Sequence, residues 1–306
     1  MANTGQMTTN SAPRLLQLGV DTIIKHLAKT YKGKGAELFK AESKKKAFIE
    51  AVYMAGMGYA AVKGEGSEIA VDSYDQHLNY VWPTITYGKA ARITEEAIEY
   101  NLYEDQIPIL GREIAKSMLH TKDFVMATVW NNLFSTTSTP DGVAPISASH
   151  PLQAGGTTSN ILSPAMSFGE DALEQLITIV DNLVNPDGLP SDYTPMDLVT
   201  HTALRFEVAR VLGNPDRPGT ADRDINVINH QGIIRKAHFW KRLSDTNAFF
   251  LTTDAEDGFV ITQTMPMKTT VEKAPGTNGD ILAYAREAYV AHLKDFRAVA
   301  GSAGAT

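Results

Sequence analysis

The sequence predicts an α+β protein, and three stretches carry that expectation. Residues 108–134 hold a helical apolar repeat long enough for about seven turns. Residues 64–93 alternate and are rich in β-branched and aromatic side chains, the pattern of paired strands. Residues 170–253 interleave helix-like and strand-like runs with turn residues, which reads as a compact α/β unit.

Taken in order, residues 1–35 open polar and carry one apolar cluster, Leu15, Leu16, Leu18, Val20, Ile23, Ile24 and Leu27. That cluster is too small for a core of its own. It is either a loose terminus or an arm that packs on a neighbouring subunit. Residues 36–61 read as helical, with Leu38, Phe39, Phe48, Ile49, Val52 and Tyr53 apolar and Lys44, Lys45 and Lys46 on a solvated face. Over residues 64–93 the expectation is an antiparallel hairpin with its tip near 75–80. A two-stranded hairpin is marginal alone, so Tyr74, Tyr80, Trp82 and Tyr87 need an apolar surface from the same chain or a neighbour.

Thr94 fits the cap of a short helix opening on Glu95 and Glu96, and Pro108 suits the first position of a second, longer one. On that long helix Ile107, Leu110, Ile114, Met118, Val125, Val129 and Leu133 are assigned to the core face. Arg112, Glu113, Lys116, His120, Asp123 and Asn131 are assigned to solvent. Residues 135–166 form a long loop dense in Ser, Thr, Gly and Pro, uncommon without a role. Ser167 to Glu170 reads as a capping box before a helix through Leu173, Leu176, Ile177, Val180 and Val184, ended by the turn NPDGLP. A strand is expected at 197–201 and a helix through Leu204, Val208, Val211 and Leu212, closed by Gly213 and Pro215. After the polar loop NPDRPGTADRD come strands at 225–229, 233–243 and 248–253. DAEDG at 254–258 is a tight acidic turn, and residues 281–293 suit a strand or a helix.

Composition narrows the function. The 306 residues are 43% hydrophobic and 21% charged, ordinary for one large or two modest cores. There is no cysteine, which removes disulfides, thiolate metal sites and cysteine nucleophiles. The opening MANTGQMTTNSAPR is not a secretory signal, and no apolar run is long enough for a membrane span. A net charge of −7 argues against a dedicated polyanion-binding surface. KGKGAELFK lacks phosphate-loop spacing, and G-x-G-x-x-G after a strand, G-x-S-x-G and H-E-x-x-H are all missing. His120, with Asp123 and Lys116, sits on what reads as a solvated helix face, and His150 reads as a structural hydrogen-bonding residue. No residue merits a catalytic, cofactor-binding or metal-ligating role, and no internal repeat is present.

The order of ITEEAIEYNLYEDQIPILGREIAKSMLHTKDFVMATVWNNLF, then SHPLQAGGTTSN, RPGTADRDIN and a closing DFRAVAGS resembles the major capsid proteins of tailed bacteriophages, a fold shared with encapsulin shells. The likeness spans roughly Tyr80 to Ala300. It implies an N-terminal arm and helix over 1–60, an extended β-hairpin loop over 61–93 and a peripheral domain with a long spine helix over 94–165. An inserted axial α/β domain would follow over 166–255, with a return to the peripheral domain, as strands, over 256–306. It further implies many copies in hexamers and pentamers of an icosahedral head around double-stranded DNA contacted non-specifically, in a virion assembled in the host bacterial cytoplasm. Intersubunit contacts are expected from Tyr74, His77, Tyr80, Trp82 and Tyr87 in the extended loop. A second set is expected from Asp216, Arg217, Asp222 and Arg223 in the axial loop. The family's long helical scaffolding leader has no counterpart here, so a separate scaffolding protein, together with a portal, is the expected partner set. No cofactor and no membrane are expected. The alternatives are an encapsulin-like nanocompartment shell and a cytosolic hydrolase using the long Ser/Thr/Gly/Pro loop.

Overall fold

A computed structural model of the chain describes residues 33–54, 59–69, 71, 76–96, 103–135, 139–153, 155–215, 225–255, 258–274 and 280–305. In chain order the first elements are α1 (Gly35–Leu38), β1 (Lys40–Ser43), β2 (Phe48–Met54), β3 (Gln76–Pro83), β4 (Ile85–Ile93) and α2 (Tyr103–Asn131). There follow β5 (His150–Pro151), β6 (Thr157–Thr158), α3 (Glu170–Asp181), β7 (Pro195–Thr200), α4 (Arg205–Gly213) and α5 (Val227–Gln231). The chain closes through β8 (Lys236–Phe239), β9 (Phe249–Thr253), β10 (Phe259–Lys273), β11 (Ile281–Leu293) and β12 (Val299–Ser302). Two compact units result: residues 1–47, 83–126 and 261–290, and residues 48–82, 127–260 and 291–306.

The first unit is built on a four-stranded sheet in the order β1-β10-β11-β4. Strand β4 runs antiparallel to β11 from Ile85 opposite Tyr289 to Ile93 opposite Ile281. Because side chains alternate along a strand, this register puts Tyr87, Ala91, Ala283, Ala285 and Ile281 on one face, where they pack on Ile114, Ala115 and Met118 of α2. The open strand-or-helix choice at 281–293 therefore resolves as strand, as the resemblance implies.

The second unit has its own four-stranded sheet, β12-β9-β7-β8, with β7 and β8 parallel and the other pairs antiparallel. Its core joins α3 (Leu173, Leu176, Val180) and α4 (Val208, Val211) to Leu198, Phe249 and Leu251. The helix of Leu173 to Val180, the strand near 197–201 and the helix through Val208 stand where the apolar spacing places them.

Several sequence expectations are corrected. Residues 36–61 are not one helix: a single turn, α1, gives way to β1 and β2. The spacing of Phe48, Ile49, Val52 and Tyr53 suits a helix, but β2 pairs with β3, a partner supplied from residues 76–83, far along the chain. The hairpin arms are therefore β2 and β3, and β4 leaves for another sheet. Helix α2 begins at Tyr103 and carries Pro108 within it, since a proline near a helix start costs one ladder bond that downstream packing offsets. Its stripe also drifts. Gly111, Ile114, Ala115 and Met118 are buried as the repeat requires, but farther on the buried positions are Met126, Ala127, Trp130 and Leu133, with Val125 and Val129 only half-buried. The seven-residue step from Met118 to Val125 falls short of two full turns, and such steps lag by about 20° per heptad.

Asp123, expected in solvent, is 5% exposed and accepts the Gly35 N–H at 3.0 Å. Helix α3 starts from Gly169 in extended conformation with no side-chain cap, so Ser167 and Glu170 do not form the capping box. Residues 227–231 are the short helix α5, capped by Asn226, in place of the expected strand at 225–229. Lys44, Lys45 and Lys46 are exposed.

Candidate assembly surface

The extended segment between β2 and β3 is the least covered part of the described chain. Tyr59, Val62, Ile69 and Val71 expose 80%, 100%, 73% and 95% of their surface. Single exposed apolar residues are ordinary, but four in one thirteen-residue stretch, uncovered among the described residues, make this the candidate contact surface. The root of this segment is tied down: Thr84 donates its N–H to Ala47 O at 3.1 Å, and its hydroxyl lies 3.1 Å from that of Thr264.

The aromatic residues expected here divide between two environments. Trp82 is buried, its ring stacked on His292 at 4.5 Å, with Tyr80 half-buried 4.9 Å from Trp82. Tyr87 stacks on Tyr289 at 4.7 Å. His77 lies in β3, and Tyr74 falls outside the described residues. Opposite Tyr87 on the neighbouring strand, Glu287 is 1% exposed and accepts from Lys122 and Gln263, each at 2.6 Å, while the Lys122 ammonium also sits 5.2 Å over the Tyr289 ring. Burial, reinforced by the Glu287 charge, pushes the Tyr289 hydroxyl above its ordinary value.

Asp216, Arg217, Asp222 and Arg223 lie outside the described residues. The base of their loop is nevertheless clear. Asn226 is fully buried and donates to Val211 O at 2.5 Å and Asn214 O at 3.1 Å, while its N–H reaches Pro215 O at 3.0 Å. The two ends of the loop are thus clamped to the C-terminus of α4.

A second group was invisible as a unit in sequence. His150 and Asn160 are both 0% exposed. His150 Nδ1 lies 2.5 Å from Asp141 Oδ2, and Nε2 lies 3.0 Å from Asn160 Oδ1. Asn160 Nδ2 donates to the carbonyls of Pro145, Phe296 and Val299 at 2.7, 3.1 and 2.9 Å, and Oδ1 accepts from Ser147 N at 2.8 Å. Burial would raise the Asp141 carboxyl, but hydrogen bonds from His150 and Thr139 outweigh it and hold the carboxyl below its ordinary value. Arg297, 1% exposed, donates to Val184 O at 2.7 Å and to the Asp295 carboxylate at 3.1 and 3.2 Å. These buried polar groups satisfy one another, so the arrangement fixes loop geometry. Asp254 accepts the N–H and hydroxyl of Thr194 at 2.9 and 2.6 Å.

Among the described residues, no cluster of three or more His, Asp or Glu side chains is placed to hold a metal ion, and no helix is long and apolar enough to cross a membrane.

The family model for phage capsid proteins matches residues 80–302. The chain belongs to the phage capsid protein family. It is a structural protein of capsids, and its α+β fold is that of tailed-phage major capsid proteins. It is similar to the subunit of a virus-like particle from Pyrococcus furiosus, with a TM-score of 0.55 and 9% identity over 93% of this chain and 98% of that one. It is also similar to the procapsid subunit of bacteriophage JBD30, at 0.54 and 10% identity over 98% and 77%. The capsid subunit of Myoviridae phage XM1 matches at 0.50 and 9% identity over 88% and 89%. No curated protein sequence matches this capsid protein. The stretches SHPLQAGGTTSN and DFRAVAGS, which carry the resemblance in sequence, meet in space at His150, Asn160 and Phe296.

Proposed function

We propose that this capsid protein self-assembles into hexamers and pentamers of an icosahedral phage head that encloses double-stranded DNA, and that its role is mechanical rather than catalytic. The observation that carries the reading is the exposed apolar segment Tyr59, Val62, Ile69 and Val71, which the described chain leaves uncovered. A heterologous contact repeated by every subunit around a closed shell would bury it. In this reading residues 48–83 are the intersubunit loop, with Tyr74, His77 and Tyr80 contributing to its contact. Trp82 and Tyr87, already engaged with His292 and Tyr289, anchor the strands that carry it. Asp216, Arg217, Asp222 and Arg223 would meet their counterparts around the capsomer axis, where opposite charges on neighbours pair weakly but many times over.

The domain reading that accompanies this is an arm, an extended loop, a peripheral domain on α2 and an axial domain built around α3, α4 and β7–β9. Assembly in the host cytoplasm with a separate scaffolding protein and a portal belongs to the same proposal, as does non-specific contact with the packaged DNA. The match to a Pyrococcus furiosus virus-like particle over nearly the whole of both chains keeps a nanocompartment shell as the second reading. Replacing residues 56–74 with an Asn-Gly turn tests the shared part. The variant should give soluble protein with near-native circular dichroism that forms no closed shell. Shells of normal diameter from that variant would overturn the loop's role.

A further inference from the structure

The buried joint at His150 leaves no room for a neutral imidazole. Asn160 Nδ2 donates to the carbonyls of Pro145, Phe296 and Val299 while its Oδ1 accepts the Ser147 N–H, so turning the amide round would set its oxygen against three others. His150 Nε2 therefore faces, at 3.0 Å, an oxygen that can only accept. On the other side of the ring Nδ1 lies 2.5 Å from the Asp141 carboxyl, which its hydrogen bonds hold below its ordinary value, so that oxygen accepts as well. A neutral imidazole has one N–H and one lone pair, and either tautomer would aim the lone pair at an oxygen. Turning the ring over instead would set a C–H against a buried carboxylate.

The charged groups on the elements packed against this ring suit a cation. Asp141 stands on the loop; Asp295 and Arg297 flank Phe296, paired with each other at 3.1 Å. With His150 charged, the joint holds two cations and two carboxylates, and each buried ion has its partner. The His150 ring also lies flat on Phe296, whose face attracts positive charge. We infer that His150 is an imidazolium in the folded subunit, both ring N–H groups donating, and that its second proton latches the 139–162 loop to residues 296–299. The latch is closed while His150 is charged. Alkali opens it by removing that proton, whereas acid opens it by neutralising Asp141.

Nitrogen-15 spectra of the histidine side chains in the purified protein test it, with His150 assigned through its contacts to Phe296. At pH 8, where a solvated imidazole is neutral, His150 should show two bonded N–H protons. A bare ring nitrogen on either side at that pH would overturn the inference. Denaturant midpoints supply a second readout. A proton held more tightly in the folded chain contributes its stability in full below the unfolded imidazole value, about 6.5, and that contribution is lost as pH rises through the folded one. His150→Gln keeps a donor but cannot titrate, so the parent's midpoint should fall relative to the variant's between pH 7 and pH 10. Parallel profiles would overturn the latch. Should His150→Gln fail to fold, the spectrum of the parent decides alone.

Discussion

The imidazole ring of His150 lies flat on the phenyl ring of Phe296, 3.7 Å between centroids with 2° between planes. Asn160, held against His150, reaches past this stack to the carbonyls of Phe296 and Val299. The long Ser/Thr/Gly/Pro loop is thereby fastened to the strand that closes the second sheet. Asn160→Ala removes a donor from the carbonyls of Pro145, Phe296 and Val299 and the acceptor of the half-buried Ser147 N–H, and each group left without another partner costs about 1–3 kcal/mol. Urea unfolding of unassembled subunits should show a loss of about 3 kcal/mol or more. A loss below about 1 kcal/mol would mean that the loop re-forms without Asn160.

Acid should loosen the same joint. The Asp141 carboxyl lies below its ordinary 3.8 in the folded chain. Its contribution to stability is therefore fully present above the unfolded value and is lost as pH falls through the lower folded one. Asp141→Asn should be less stable than the parent near neutrality, and the gap should narrow as pH drops below about 4. Denaturant midpoints for both proteins from pH 7 to pH 2.5 check this. A gap that stays constant across that range would sink it.

The buried phase of α2 is testable at one residue pair. Trp130 is 0% exposed, stacked 4.2 Å from Phe259 and edge-on to Phe250. Trp130→Ala should cost about 3–5 kcal/mol or give insoluble protein. Lys116→Ala, on the exposed face beside Glu113, should leave the melting temperature unchanged within error. Equal behaviour of the two variants would refute the phase.

Two glycines should respond in opposite ways. A Cβ at Gly301 would lie 2.9 Å from both Ile146 Cδ1 and Phe250 Cδ1, whereas at Gly88 the nearest atom is 3.5 Å away. Gly301→Ala should destabilise the subunit by about 1–3 kcal/mol through overpacking, and Gly88→Ala should leave subunit stability nearly unchanged. Thermal melts of the unassembled variants decide between this pattern and a uniform response.

What the sequence discloses depends on how far apart the partners lie. Helices α3 and α4 and strand β7 are legible because local spacing and local stop signals agree with their burial. Strand β2 is not, because its pattern is satisfied only by β3, and short-range spacing at Phe48 to Tyr53 imitates a helix. The buried face of α2 is read correctly at Ile114 and Met118 and missed at Val125, where a heptad step lags behind the true turn. Asp123 misleads for the opposite reason: a carboxylate on a helix looks solvated until Gly35 brings an N–H to it. The His150 cluster is half visible. His150 stands out within its motif, but Asp141 and Asn160 gain their meaning only when the loop folds back on Phe296.

The most direct test of the account is imaging of the purified, full-length protein by negative-stain electron microscopy at concentrations where light scattering also reports its mass. Closed icosahedral shells, or the hexamers and pentamers that build them, are the expected result. A monodisperse monomer of 33.3 kDa at every concentration would contradict the central claim that the exposed extended loop exists to join one copy of this chain to the next.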